Sequence, residues 1–149
     1  SKYDKTIIFD GDLELRTDDI KKLMLLDKYD EIKSVFGFRF NSLSPFKSGF
    51  DWGNFIFTTF FNLLFNSSYK DILCCAKAFY KSNIPIDKIR SKSFDIDIEL
   101  LAMIYILNCN KNQQISLTYS RRSIEQGKKL KISDGWLILL RILKIYQYK

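Results

Sequence analysis

Two carboxylates two residues apart, Asp10 and Asp12, close the short apolar run Ile7-Ile8-Phe9 and are followed by Leu13-Glu14. An apolar strand that ends in paired acids is a common way to hold a divalent cation at the edge of a sheet. Held by one or two carboxylates, magnesium or manganese neutralises the charge that builds up on a departing diphosphate. Asp-Gly-Asp is also ordinary turn chemistry, and short motifs of this kind often match by chance. Thr17-Asp18-Asp19 then opens a helix.

The elements that would position these acids belong to a small globular chain. Its 149 residues read as one domain, long enough to bury a core. With 46% hydrophobic and 15% aromatic residues, the composition is folded rather than disordered. The formal charge of +7 favours anionic partners: nucleic acid, an acidic membrane surface or phosphorylated substrates. No aromatic-interleaved basic stripe and no helix-turn-helix spacing supports nucleic acid. Histidine is absent, which removes the commonest general base and transition-metal ligand. Acid–base work falls to Asp, Glu, Lys or Tyr, or is not needed. Cys74 and Cys75 are adjacent, Cys109 stands apart, and no Cys-x-x-Cys pair occurs. Reduced thiols in a cytoplasmic protein are expected, not a zinc site or a disulfide framework. There is no signal-peptide pattern and no apolar run of ~18 residues that would span a bilayer. The chain begins at Ser1 without Met, close to its first strand, so a segment of something longer is expected.

Hydrophobic period sets out the elements. Lys5 to Asp10 reads as a buried strand, and Asp18 to Leu26 as a helix capped by Thr17. Ile32 to Phe40 reads as a second strand, and Asp51 to Phe65 as a helix. That helix is apolar over more than one stripe, so it is deeply buried or presses on lipid. Asp71 to Phe79 is mixed, a strand leading into a short helix. Phe94 to Leu107 is a helix with Ile98, Leu101, Ala102, Tyr105 and Ile106 on one side. Cys109 to Gln114 reads as a polar turn, Ile115 to Tyr119 as a strand and Arg121 to Lys131 as a basic loop. Asp134 to Tyr148 is a final amphipathic helix that sets Leu137, Leu139, Leu140, Ile142, Leu143 and Ile145 against Arg141, Lys144 and Lys149. Strands alternating with helices imply an α/β layer fold.

Several segments, taken in order, resemble the C-terminal part of family 2 glycosyltransferases, nearest to those that move a sugar from a nucleotide donor to a polyprenyl phosphate. Asp10-Gly11-Asp12-Leu13 is similar to the family's Asp-x-Asp-Leu stretch. Val35-Phe36-Gly37-Phe38-Arg39-Phe40 resembles the strand that ends in Gly-Ser-Arg-Tyr. Asp71-Ile72-Leu73-Cys74-Cys75-Ala76-Lys77-Ala78-Phe79 is similar to Asp-Thr-x-Cys-Gly-Phe-Lys-x-Phe, and Phe94 to Leu100 to a Phe-x-x-x-x-Glu-Leu helix. Tyr119, Arg122, Gly127, Lys128 and Lys129 resemble a Tyr-x-x-Arg-x-x-x-x-Gly-Lys-Lys segment, followed by Asp134-Gly135. Leu73 and Cys75 depart from the family pattern, and no second basic residue stands near Phe50 and Asp51.

The resemblance implies a GT-A-type fold, with a mixed sheet, flanking helices and a C-terminal amphipathic helix. Residues 1–149 would form a single acceptor-side portion whose nucleotide-binding half precedes Ser1. It implies Mg2+ or Mn2+ on Asp10 and Asp12, a UDP- or GDP-sugar donor, and a lipid-phosphate or saccharide acceptor. Asp12 and Glu99 would serve catalysis, with Glu99 orienting a sugar hydroxyl or a basic side chain. Asp10, Asp12, Arg122 and Lys128 would face the donor phosphates, and Arg39 the acceptor phosphate. A phosphate acceptor is already an anion near neutral pH, so it needs positioning and charge compensation rather than a base. Read without the family, Arg39 is a solvated strand-end cation, Lys128 and Lys129 are a basic patch for anionic headgroups, Glu99 and Asp97 are helix-surface acids, and Lys77 is structural. An oligomer and a peripheral place on the cytoplasmic face of a membrane are also expected. The rival reading is a non-catalytic relative that acts as a membrane-surface or protein interaction module.

Overall fold

The strand Ser34–Phe38 is buried along its whole length, because it has neighbours on both sides and packed layers on both faces. In the computed structural model, which describes residues 3–25, 32–39, 49–91, 95–108, 111–121 and 134–147, this strand is β2. The other elements are β1 (Lys5–Ile8), α1 (Ile20–Leu23, entered through a 3-10 turn at Thr17–Asp19), α2 (Gly49–Phe65), β3 (Lys77–Tyr80), α3 (Ile96–Asn108), β4 (Asn112–Ser116) and α4 (Asp134–Gln147). The four strands lie in the order β1-β3-β2-β4. β3 is antiparallel to both β1 and β2, and β4 is parallel to β2. The α/β mixed sheet with flanking helices is therefore as expected.

Alternation along the strands divides the core in two. Phe36 and Phe79 face α2, α3 and α4, where they join Phe61, Phe65, Ile98, Leu101, Ile138 and Ile142. Val35 and Ala78 face the other way, with Cys74, Ala76, Leu15, Leu23, Ile115 and Leu117. Gly37, Ala76 and Ala78 on this face are small, and Leu117 packs closely over them. A Cβ placed on Gly37 would collide with the tip of Leu117 and lie 3.0 Å from its Cγ and 3.1 Å from Ala76 Cβ.

Several boundaries differ from the sequence reading. β1 stops at Ile8, so Phe9 and Asp10 leave the ladder. The first helix is one turn with Asp19 at its N-cap, and the 3-10 turn leading into it is capped by Arg16 and not Thr17, neither with a side-chain cap bond. Its Asp19 is drawn into the sheet, where it accepts a hydrogen bond from Thr118 N and pairs with Lys22. Residues 71–79 do not form a strand followed by a helix: a turn at Ile72–Leu73 leads into β3. β4 begins at Asn112, inside the expected polar turn. It is an edge strand, where polar side chains are tolerated, and its amides are fixed by tertiary bonds. Asn112 Nδ2 donates to the Tyr69 hydroxyl and Gln114 Nε2 to Ser68 O, while Lys70 N donates to Gln114 Oε1. In α3, Ile98, Leu101 and Ala102 are buried as expected, but Ile104 is buried too and Ile106 is exposed.

The long helix α2 is neither wholly buried nor wholly apolar on its core side. Asp51, Asn54, Thr58, Phe61 and Phe65 line its buried stripe, and Trp52, Phe55, Ile56 and Leu63 its exposed one. In α4, Ile138 and Ile142 are buried, while Trp136, Leu137, Leu140 and Leu143 face outward. Gly37→Val is expected to lower the unfolding free energy by about 1–3 kcal/mol through overpacking against Leu117 and Ala76, measured by urea denaturation.

Candidate active site

β1 and β2 both run antiparallel to β3, and β4 runs parallel to β2. The C-terminal ends of three strands therefore share one edge with the entry to β3. In α/β sheets ligands bind outside the carboxyl ends of the strands. The last β1–β3 pair is Ile8 with Lys77, and two residues beyond it the chains reach Asp10 and Cys75. The β2–β3 register, continued by the bond from Gly37 N to Ala76 O, sets Arg39 opposite Cys74. Leu117 N donates to Phe38 O and carries β4 to the same line.

The acids lie on a loop that crosses this edge. Leu15 bridges to Tyr119, and Ser120 N donates to Glu14 O. The chain thus passes from one outer strand to the other, a span of roughly 14 Å at ordinary strand spacing. Asp12 Oδ1 accepts a hydrogen bond from Glu14 N at 3.0 Å, so one of its oxygens does build a turn. Leu13, at the crest, is exposed and takes a left-handed φ of 68°, a conformation unfavourable for a branched side chain. Among the described residues no three His, Cys, Asp or Glu side chains form a metal cluster. A magnesium-like ion keeps several waters and takes one or two carboxylates plus substrate phosphates, so the metal role expected of Asp10 and Asp12 does not require such a cluster.

Beyond β2, Arg39 is held by Asp71. Arg39 Nε and Nη2 donate to the two Asp71 oxygens at 2.8 and 3.0 Å, Arg39 N donates at 3.2 Å, and Asn54 Nδ2 donates at 2.9 Å. The Asp71 side chain has no exposed surface and that of Arg39 keeps 20%. Burial alone would push the Asp71 carboxyl up; the guanidinium and these hydrogen bonds outweigh it and hold it below the usual carboxylate range. Burial likewise works against the Arg39 charge, and Asp71 more than restores it. The guanidinium also lies 5.5 Å from the centre of the Tyr119 ring. Arg121 donates to the Tyr119 hydroxyl at 3.4 Å and pairs with Asp51 in the first turn of α2. Arg39 thus reaches the edge as a fixed cation whose Nε side is already engaged, not as a solvated strand end.

Glu99 is placed differently from expectation. It is buried, accepts hydrogen bonds from Arg90 N and from Ser91 N and Oγ, and lies 3.6 Å from Arg141. It ties the 89–91 segment to α3 and lies beside Arg141 of α4, which donates to Asp95 Oδ2 at 2.8 Å. Asp97, read as a solvated acid, is instead paired with the buried Lys77. Cys74 and Cys75 are free thiols; their mutual hydrogen bond raises Cys74 and lowers Cys75. Arg122, Lys128 and Lys129 lie outside the described residues. The structure therefore brings Asp10, Asp12 and Arg39 to one edge and adds Tyr119, Arg121, Asp71 and Asp97. The Tyr119 that opens the Tyr-x-x-Arg segment, the Arg121-Arg122 doublet and the Asp71 that opens the Cys74-Cys75 segment were the available signals for the first three of these additions.

Replacing Asp71 by Asn is expected to cost about 3–5 kcal/mol, because it strips the counter-charge from a largely buried guanidinium. The depressed Asp71 pKa sets the pH dependence. Its stabilisation is complete above the unfolded carboxylate value of about 3.9 and is lost as pH falls through the lower folded value. Urea midpoints measured across this acid range should fall less steeply in Asp71→Asn than in the parent. Asp19 and Asp95, also depressed, keep the variant's profile from being flat.

No protein-family model and no curated protein sequence matches the chain. Solved structures of glucosyl-3-phosphoglycerate synthase from Mycobacterium tuberculosis do match it in fold. The complex with Mn2+ and UDP-glucose superposes over 97% of this chain and 49% of that one, with a TM-score of 0.71 at 12% identity. The complex with UDP gives 0.68 at 11% identity, over 97% and 50%. The complex with phosphoglyceric acid gives 0.66 at 11% identity, over the same shares. The chain spans about half the length of these structures. At such identities the likeness establishes the fold, an α/β architecture consistent with the C-terminal part of a GT-A-type glycosyltransferase.

Proposed function

We propose that this chain is the acceptor-side part of a metal-dependent glycosyltransferase, which moves a hexose from a UDP- or GDP-sugar to an acceptor. The observation that carries the reading is the shared sheet edge. Two acids after β1 and a locked arginine after β2 converge there, in a fold that overlies an enzyme solved with Mn2+ and UDP-glucose. Asp10 and Asp12 would hold Mg2+ or Mn2+, which when bound neutralises the leaving diphosphate. Arg39, fixed by Asp71, compensates the charge of an acceptor phosphate, with Arg121 close by through Tyr119. A phosphate oxygen attacks as an anion, so the chain does this work without histidine. Arg122 and Lys128 are assigned to the donor phosphates. Glu99 acts at one remove, by tying the 89–91 segment to α3.

The matched synthase is also solved with glycerol 3-phosphate, which supports a phosphate-bearing acceptor. A polyprenyl phosphate presents the same group. Overlap with half of the synthase supports a nucleotide-binding half elsewhere in the protein. The intact mass of the protein as its own cell makes it tests this, and assays belong on that form. In it, Asp10→Ala and Asp12→Ala should each reduce metal-dependent transfer by on the order of 10²–10³, the loss typical when charge stabilisation at a leaving group is removed. Undiminished transfer in both variants would sink the reading.

A second reading has its own observation. α2 exposes Trp52, Phe55, Ile56 and Leu63, and α4 exposes Trp136, Leu137, Leu140 and Leu143. No described helix is long and apolar enough to cross a membrane, but such faces suit a helix lying in the headgroup region. On this reading the chain docks peripherally on an acidic bilayer, drawn by its net charge of +7. Trp52→Ser together with Trp136→Ser should weaken co-sedimentation with phosphatidylserine vesicles several-fold. Vesicle binding without any metal-dependent nucleotide binding would favour a docking module over an enzyme.

A further inference from the structure

Cys74 and Cys75 are neighbours in the chain, and both are free thiols. In a regular strand, adjacent side chains point to opposite faces. These two share one. Cys74 is buried in the cluster that holds Val35, Ala76 and Leu117, and Cys75 packs against the same cluster while keeping part of its surface open. The Cys74 thiol donates a hydrogen bond to the Cys75 sulfur, so the two sulfurs lie side by side. The break in alternation has a local cause. The ladders of β3 to β1 and β2 begin at Lys77. The Cys74–Cys75 peptide therefore lies between the turn at Ile72–Leu73 and the paired strand, and is free of the strand's geometry.

A free cysteine packs like a small apolar residue, and its reactivity decides what else it does. Here the two thiols are unequal. Cys75 is reachable by a small reagent, and the hydrogen bond from Cys74 and the Lys77 charge hold its thiol below the ordinary value against the effect of burial. Cys74 is shut away behind it, its thiol held up by the same hydrogen bond and by burial. A reachable sulfur backed by a second one is the arrangement of an attacking and a resolving cysteine.

We propose that Cys74 and Cys75 form a redox-sensitive dithiol, which a small disulfide such as oxidised glutathione converts to a vicinal disulfide. The Cys75 thiolate attacks one sulfur of the oxidant and expels one glutathione thiolate. Cys74 then loses its proton, attacks the Cys75 sulfur of the mixed disulfide and expels the second glutathione. One S–S bond is broken in the oxidant and one is formed in the protein. The two protein thiols are oxidised, and their protons leave with two reduced glutathione molecules. This inference stands apart from the transferase reading.

The bond has a structural consequence. Bridged cysteines usually keep their Cα atoms about 4.4–6.8 Å apart, whereas consecutive Cα atoms lie ~3.8 Å apart. A bridge between neighbours therefore distorts the peptide that joins them, and a strained bridge is readily reduced again. That peptide carries the Cys74 carbonyl, which accepts from the buried Lys77 ammonium. Turning it takes an acceptor from a cation in the core. Oxidation thus loosens the entry to β3, on the same segment as the Asp71 that holds Arg39, and reduction restores it.

The test treats the protein as its own cell makes it, first reduced, with oxidised glutathione. Peptide mass mapping should show the tryptic peptide Asp71–Lys77, which carries both cysteines, lighter by two hydrogens and free of glutathione. The thermal midpoint should fall by about 3–10 °C, the scale of one lost hydrogen bond to a charged group, and dithiothreitol should reverse both changes. Cys75→Ser removes the attacking sulfur, and the same treatment should leave its midpoint in place. If that variant does not fold, phenylarsine oxide, which bridges two close thiols, decides on the parent: one arsenic bound with loss of both thiols of this peptide supports the pair. Glutathione retained on Cys75, a bridge from either residue to Cys109, an oxidised form with an unchanged midpoint, an equal shift in folded Cys75→Ser, or thiols inert to both reagents overturns the proposal.

Discussion

The Asp71 carboxylate is the point on which the site's geometry hangs. It sits just before the turn into β3 and accepts from the side chain and backbone of Arg39 beyond β2 and from Asn54 on α2. Thr58, one turn on from Asn54, donates to it and accepts from Ile72 N. One buried acid thus joins a strand end, a helix and the start of the central antiparallel strand. Four donors on one carboxylate also explain how a charge with no exposed surface is tolerated, since a buried ion is stable only when its lone pairs are met. Without this knot the end of β2 would be an ordinary loop, and Arg39 a solvated side chain.

The second constraint is steric. The loop carrying Asp10 and Asp12 can cross to Tyr119 only if Leu15 and Leu117 settle on the sheet face formed by Ala76, Ala78 and Gly37. Small residues on that face and a left-handed Leu13 at the crest are two ends of one arrangement. The opposite face carries the bulk, with Phe36, Phe61, Phe65 and Phe79 under the helices. The sheet therefore has a thick side that supplies stability and a thin side that brings the acidic loop close to the strand ends.

Much of this was legible in the chain, for identifiable reasons. β1, β2, α2, α3 and α4 were found because their apolar periods are strong. The register of acids after β1 and arginine after β2 followed once those strands were placed. What failed was wherever tertiary contacts override local pattern. Asn112, Gln113 and Gln114 look like a turn, yet they form an edge strand stitched to Ser68, Tyr69 and Lys70. Asp97 looks solvated, because nothing local reveals that an ammonium in one strand will reach a helix twenty residues later. Glu99 looks like a surface acid near a site, and only the fold shows that its oxygens are taken by Arg90 and Ser91.

The charges along this edge share a property that bears on chemistry. Arg39 is paired with Asp71, Arg121 with Asp51 and Lys77 with Asp97. Each cation is thus pinned by its own acid, and the chain has no histidine. A site of fixed, compensated charges is poorly suited to shuttling a proton near neutral pH. It is well suited to a reaction in which charge passes between two oxyanions, the attacking phosphate and the departing diphosphate, because preorganised dipoles and ions need no rearrangement as that charge moves. Transfer in which a phosphate oxygen of the acceptor is itself the nucleophile would have this character. Transfer to a neutral hydroxyl would need a base, and the described edge offers for it only carboxylates already engaged in turns and ion pairs.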